Sequence, residues 1–216
     1  MARDILYDIA RTIAATLGRR RQREALGCER ERSGSIETLL DGNDFYANHS
    51  HVFRKEQRPP FACVACSDSR CPPELIFAQD PGSCFTYRSA GAVIGDLGSD
   101  TLDIGVDVLR VKHILVLSHD DCAALRSAIG GGRGVPQQKI RRLFEWYSET
   151  TGDGARTPAS LARAQALKLL EDERIRRRFD DGELKVSYGV FNDRSGRVSA
   201  WELDRNLKSR RSRTRK

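Results

Sequence analysis

The amino-acid sequence predicts an α/β protein: a mainly parallel central β-sheet flanked by helices, with an antiparallel C-terminal edge strand and an N-terminal helical arm. Three observations carry that expectation. Short apolar runs of strand character recur at 61–66 (FACVAC), 84–88 (CFTYR), 113–118 (HILVLS) and 185–191 (KVSYGVF). Helix-like stretches fill the gaps between them, and parallel strands need crossovers of that kind. A last alternating run at 197–203 (RVSAWEL) follows the turn NDRSG, which pairs it with 185–191 as a hairpin.

In chain order, residues 3–17 place Ile5, Ile9, Ile13 and Leu17 four residues apart with Leu6 alongside, the stripe of an amphipathic helix. Asp4 and Asp8 within that stretch argue against an organelle transit signal. The charged, Gly-punctuated segment 18–34 is a connector, and Ser35 opens a helix that carries Ile36, Leu39 and Leu40. The first strand follows, and helices are expected at about 73–79, 101–111, 122–129, 138–149 and 159–179, with surface loops at 130–136 and 150–158. The expected organisation is an arm and connector (1–34), a core domain (35–204) and a basic tail (205–216).

The net charge of +7 is confined to that tail, whose Arg205, Lys208, Arg210, Arg211, Arg213, Arg215 and Lys216 meet no acid, so residues 1–204 are formally neutral. Basic residues interleaved with aromatics would suggest a nucleic-acid platform, and the tail has none. It reads as a solvated segment, able to touch nucleic acid or other anionic surfaces only through salt-sensitive, unspecific contacts. No apolar run approaches the ~20 residues needed to cross a bilayer, and no secretory signal is visible. Six cysteines (Cys28, Cys63, Cys66, Cys71, Cys84 and Cys122) in a chain of 216 residues do not form a disulfide framework. A reducing, cytoplasmic setting is expected, with thiols free to act as ligands, nucleophiles or small core residues.

The chemistry gathers at two strand ends. Cys66 closes the first apolar run and is followed at alternate positions by Asp68 and Arg70; His119 and Cys122 close the third run as a His-x-x-Cys pair. In sheets of this class ligands collect at the carboxyl ends of the strands, which puts both blocks on one edge. Two thiolates and an imidazole suit Zn²⁺, and three protein ligands leave the open fourth position of a catalytic zinc site. Against this stand the plainer readings, a small buried Cys and a surface ion pair worth ~0–1 kcal/mol. Asp68 and Arg70 are spaced to pair, which would keep the carboxylate ionised as a hydrogen-bond acceptor or let it occupy the open position itself.

CSDSR at 66–70, SHDDC at 118–122 and YRSAGAVI at 87–94 resemble the signature blocks of the β-class carbonic anhydrases. The resemblance runs through roughly 35–204. It implies that Cys66, His119 and Cys122 bind Zn²⁺, that Asp68 and Arg70 form the catalytic dyad, and that a zinc-bound hydroxide hydrates CO₂ reversibly to bicarbonate and a proton. Gln57 and Phe85 stand where plant-type members carry substrate-site residues, and Ala90 and Ile104 fall where the family lines its apolar pocket. A homodimer or tetramer is implied, with the N-terminal helix embracing the partner. Three positions depart from the family pattern: Ser89, Ser118 and Ala123, the last adding a methyl beside the metal-binding turn. Two alternatives accompany this reading, a zinc hydrolase acting on carbonyl sulfide or carbon disulfide, and a catalytically weak or silent binding or assembly protein. His49, His51 and Asp120 are proton-shuttle candidates by chemistry alone.

Overall fold

A computed structural model describes residues 36–49 and 57–205. They fall into two units, divided between residues 53 and 54. The first contributes helix α1 (Ile36–His49), on which Ile36, Leu39, Leu40 and Tyr46 are exposed. The expected helix at 3–17, Cys28, His51 and the tail beyond Arg205 lie outside the described residues, as does the side chain of His49.

The second unit is built on a five-stranded sheet in the order β2-β1-β3-β4-β5. Strands β1 (Phe61–Cys66), β2 (Cys84–Ser89), β3 (His113–His119) and β4 (Lys185–Asn192) run parallel to one another, and β5 (Arg197–Glu202) runs antiparallel to β4. The two central strands read as continuous apolar runs because helices cover both faces of the sheet. Alternate residues divide between two cores. Ala62, Val64, Ile114, Val116 and Val186 enter one, and Cys63, Ala65, Leu115, Leu117 and Phe191 enter the other.

Short helix α2 (Pro73–Ile76) follows β1. After β2, a single 3₁₀ turn (Ala90–Ala92) leads to α3 (Asp96–Asp103), which widens into one π-helical turn at Ile104–Val108. Helix α4 (Ala123–Ile129) follows β3, then come α5 (Val135–Thr151), α6 (Pro158–Leu169) and α7 (Glu173–Asp180). Leu102 and Val106 of the α3 region and Ile175 and Phe179 of α7 cover the first core. Leu125 of α4 and Ile140, Phe144 and Tyr147 of α5 cover the second.

The helices depart from expectation where local chemistry overrides periodicity. The single helix expected over 159–179 is two, because Asp172 caps a new start: its Oδ1 accepts the N–H groups of Arg174 (2.9 Å) and Ile175 (3.3 Å). Helix α5 begins at Val135 rather than 138, with Pro136 in its first turn, where a missing N–H costs nothing. The expected helix at 101–111 starts earlier, at Asp96, and that at 73–79 is only one turn. Among the described residues no helix is long and apolar enough to cross a membrane.

Candidate metal centre

Strands β1 and β3 are neighbours, with Ala65 opposite Leu117, so their carboxyl ends bring Cys66 and His119 to one edge. Beyond His119, the N–H of Asp120 still pairs with the Phe191 carbonyl (3.0 Å). Asp121 then turns at φ 54°, a left-handed conformation that Asp tolerates, and hands the chain to Cys122 at the N-cap of α4. The turn folds Cys122 back toward the strand end. One ligand atom from each of Cys66, His119 and Cys122 lies within 4.8 Å of the others, and all three residues are buried.

Their bonding is incomplete. His119 is 1% exposed, and both of its ring nitrogens lack a hydrogen-bond partner. A buried polar atom in that state costs free energy unless something absent from a bare chain satisfies it. The two sulfurs lie 3.9 Å apart. The Cys122 thiol hydrogen-bonds toward Cys66 and holds the Cys66 thiol well below its usual range, helped by His119 and by the Gly91 N–H at 3.3 Å. The same contact, together with burial, pushes Cys122 up. The pair thus gives up one proton easily and resists losing the second, and a divalent cation would replace both. Burial disfavours a charged His119, but the Cys66 sulfur and the Asp68 carboxylate outweigh it and raise its pKa. Every one of these features fits a thiophilic dication coordinated by the three side chains.

Asp68 and Arg70 stand beside this group in the loop after β1. The Arg70 guanidinium donates from Nε to Asp68 Oδ1 (2.9 Å) and from Nη2 to Oδ2 (2.8 Å), and the Arg70 backbone N–H adds a third bond to Oδ1 (3.0 Å). This bidentate pairing holds the Asp68 carboxyl far below the usual carboxylate range. Asp68 Oδ2 is also 3.8 Å from His119 Nε2.

Two supports escaped the sequence reading. Arg88, at the end of β2, donates from Nε to the Cys66 carbonyl (2.9 Å) and from Nη2 to the Asp68 carbonyl (2.6 Å), which staples the loop backbone in place. Gly91 has φ +72°, and a Cβ there would lie 2.9 Å from Ile140 Cδ1, so only glycine brings that N–H to the Cys66 sulfur. Both residues lie in the Arg-Ser-Ala-Gly block, which signalled their presence but not their role.

The remaining expected residues are placed unevenly. Ala90 adjoins Gly91 and so lies close to Cys66. Phe85 pairs with Ala62, whereas Ser89 pairs with Cys66, which sets Phe85 ~13 Å back along the strand. Its ring lies against Gly105, next to the half-exposed Ile104. Gln57 is exposed on the segment that leads into the opposite end of β1. Within one chain, therefore, Phe85, Ile104 and Gln57 do not gather around the metal ligands. Asp120 is already engaged, accepting from Asn192 Nδ2 at 2.8 Å.

The three departures from the family pattern have distinct fates. Ser89 Oγ donates to the Val93 carbonyl (2.7 Å) and closes the turn after β2. Ser118 is buried and its hydroxyl is unpartnered. Ala123 is exposed at the start of α4, so its methyl does not narrow a pocket within the chain. Cys63, Cys71 and Cys84 form no disulfide, and burial pushes the Cys71 thiol up to about 11.

A parallel α/β sheet that presents a Cys₂His donor set at its carboxyl edge, with an ionised carboxylate beside it, defines a metalloprotein with a catalytic type of centre. The sequence profile of the carbonic anhydrase family matches residues 61–198, and the chain belongs to the β-carbonic anhydrase family, which is zinc-dependent. It is 28% identical over 190 residues to a carbonic anhydrase of Pseudomonas aeruginosa, covering 75% of this chain and 86% of the relative. Its fold is similar to a tetrameric β-carbonic anhydrase of Sordaria macrospora (TM-score 0.63, 25% identity, 78% of this chain and 96% of that one). It is equally similar to the Coccomyxa β-carbonic anhydrase solved with acetazolamide (TM-score 0.64, 25% identity, 79% and 87%).

Proposed function

We propose that this chain catalyses the reversible hydration of CO₂ to bicarbonate and a proton, with Cys66, His119 and Cys122 holding Zn²⁺ and with Asp68 and Arg70 as the catalytic pair. One observation carries the reading: a buried Cys₂His group whose imidazole is unpartnered lies 3.8 Å from a carboxylate locked in its ionised form. When bound, zinc supplies a Lewis-acid centre that makes water a nucleophile near neutral pH. Two thiolates cancel the formal charge of the dication, so the acidification is milder than at an all-His site.

The protein groups then have defined tasks. Asp68 stays ionised at working pH, so it accepts hydrogen bonds and does not donate them. It can take the O–H of the attacking group and leave that oxygen's lone pair free for the carbon of CO₂. For the same reason it is a poor proton acceptor, and the released proton leaves by another route to buffer. Arg70 fills the Nε and Nη2 side of the carboxylate and so restricts which lone pairs face the centre. CO₂ is uncharged and apolar, and the site accordingly needs no cluster of cations to receive it.

The substrate pocket is completed in a homodimer or tetramer, with Gln57, Phe85 and Ile104 supplied to the site across an interface. Support comes from β2, a sheet-edge strand, and from the exposed Leu97, Ile104 and Val108 that follow it. The unpaired thiols fit a reducing cytoplasm. Stopped-flow CO₂ hydration by the zinc-loaded protein tests the function directly. Turnover no faster than buffer with stoichiometric zinc would leave a silent binding protein, and preference for carbonyl sulfide or carbon disulfide would make it a sulfur-substrate hydrolase.

A further inference from the structure

The hairpin turn between β4 and β5 reaches back into the site. Arg70 uses its Nε and Nη2 on Asp68, and its remaining amino group, Nη1, donates to Asp193 Oδ2 at 2.8 Å. The guanidinium therefore bridges two carboxylates. Asp68 and Arg70 are two residues apart on one loop, so their mutual bonds fix only their relation to each other. Asp193 comes from the far side of the sheet's carboxyl edge. Its bond ties the pair to the frame that also carries the metal ligands.

The anchor is itself rigid. Asn192 Oδ1 accepts the N–H groups of Arg194 (3.2 Å) and Ser195 (2.8 Å), and Gly196 returns its N–H to the Asn192 carbonyl (2.9 Å). The Asn192 amide donates to Asp120 Oδ2 at 2.8 Å, beside His119, so one short turn grips both blocks of the site. Asp193 is only 16% exposed, against 46% for Arg70, which otherwise has freedom to swing. Asp121 also faces Arg70 Nη1, at 3.9 Å, but is bound to Arg126.

We propose that Asp193 is a positioning residue for the reaction: through Arg70 it sets where the Asp68 carboxylate stands relative to Cys66, His119 and Cys122. It acts through Arg70, to which its carboxylate is bonded. The inference rests on the reading of Asp68 and Arg70 as the catalytic pair, and the two fail separately. Undiminished turnover in Asp68→Asn removes that reading, whereas loss in Asp68→Asn with wild-type turnover in the Asp193 variants removes only this one.

The experiment compares zinc-loaded wild type, Asp193→Ala and Asp193→Asn. Zinc content stays stoichiometric and KM for CO₂ changes less than about twofold. The kcat falls about 10-fold in Asp193→Ala, the scale expected when a reacting group is slightly misplaced. In Asp193→Asn it falls about 3-fold, since the amide oxygen still accepts Nη1 without the charge. If the alanine variant does not fold, the asparagine variant decides by the same criteria. Two readouts separate positioning from general destabilisation. Solvent exchange of the Arg70 Nε–H, read by ¹⁵N NMR and assigned with Arg70→Lys, quickens in the Asp193 variants. In an Arg70→Ala background, Asp193→Ala costs no further activity. Wild-type kcat, an unchanged Nε–H signal, or an equal loss in the Arg70→Ala background each overturns the proposal.

Discussion

The metal-ligand corner and the carboxylate–guanidinium pair beside it are bonded in opposite ways. Cys66, His119 and Cys122 are buried, and the imidazole has no partner for either nitrogen. Asp68 and Arg70 are partly open to solvent, yet both oxygens of the carboxylate and the Nε, Nη1 and Nη2 groups of the guanidinium are engaged. The contrast shows which part of the centre depends on an added ion. The corner is complete only with a cation, because burial without partners is costly. The pair is complete as the chain folds, because its two charges answer each other and Asp193 takes the remaining guanidinium amino group.

The largest effects should come from breaking the corner. In His119→Ala and Cys66→Ala, zinc is lost on dialysis and kcat/KM drops about 1000-fold or more, checked by metal analysis and stopped-flow hydration. Chelating zinc from the wild type lowers Tm by about 10 °C, the scale of a ligand held well above its Kd. An unchanged Tm would mean that the buried nitrogens are satisfied some other way. Breaking the pair should separate chemistry from metal. Asp68→Asn keeps stoichiometric zinc and loses about 100-fold in kcat. A zinc loss parallel to the activity loss would merge the two regions into one.

The pair also has its own pH signature. The folded-state pKa of Asp68 is depressed, chiefly by the Arg70 hydrogen bonds. The stability it contributes is therefore fully present above its unfolded pKa of about 4 and fades as pH falls below that value. Urea titrations of wild type and Asp68→Asn should differ at pH 7 and converge in acid; a gap independent of pH contradicts the assignment. The smallest effect is expected at Ala123. Because its side chain is exposed, Ala123→Gly leaves kcat within about twofold and costs up to about 1 kcal/mol in helix stability.

How much of this could be read in advance varied with how local each feature is. The Cys-x-Asp-x-Arg and His-x-x-Cys blocks each lie within five residues, at the ends of strands whose apolar runs announce them. The Cys₂His group and the Asp68–Arg70 pairing were therefore legible together, and the gathering of ligands at the strands' carboxyl ends predicted that the two blocks meet. Arg88, Gly91 and Asp193 were visible as residues but not as parts of the site. They reach it from the ends of β2 and β4, and their value lies in bonds to the Cys66 and Asp68 carbonyls, the Cys66 sulfur and the Arg70 guanidinium. Phe85 and Ile104 differ again: their residue types were recognisable, but within one chain the register of β2 sets Phe85 back from the edge, so their place at a pocket rests on the proposed oligomer.

The sequence by itself determined the strand–helix alternation, the donor set and the pairing of Asp68 with Arg70, because each follows from residues close together in the chain. Tertiary structure decided that Arg88 staples the loop after β1, that Ala123 faces outward, and that a hairpin turn grips the Asp68–Arg70 pair from outside. These depend on which carbonyls and carboxylates meet after the strands are laid side by side. Apolar periodicity specifies that the strands pair, but hydrogen bonds between distant turns are specified only once they have.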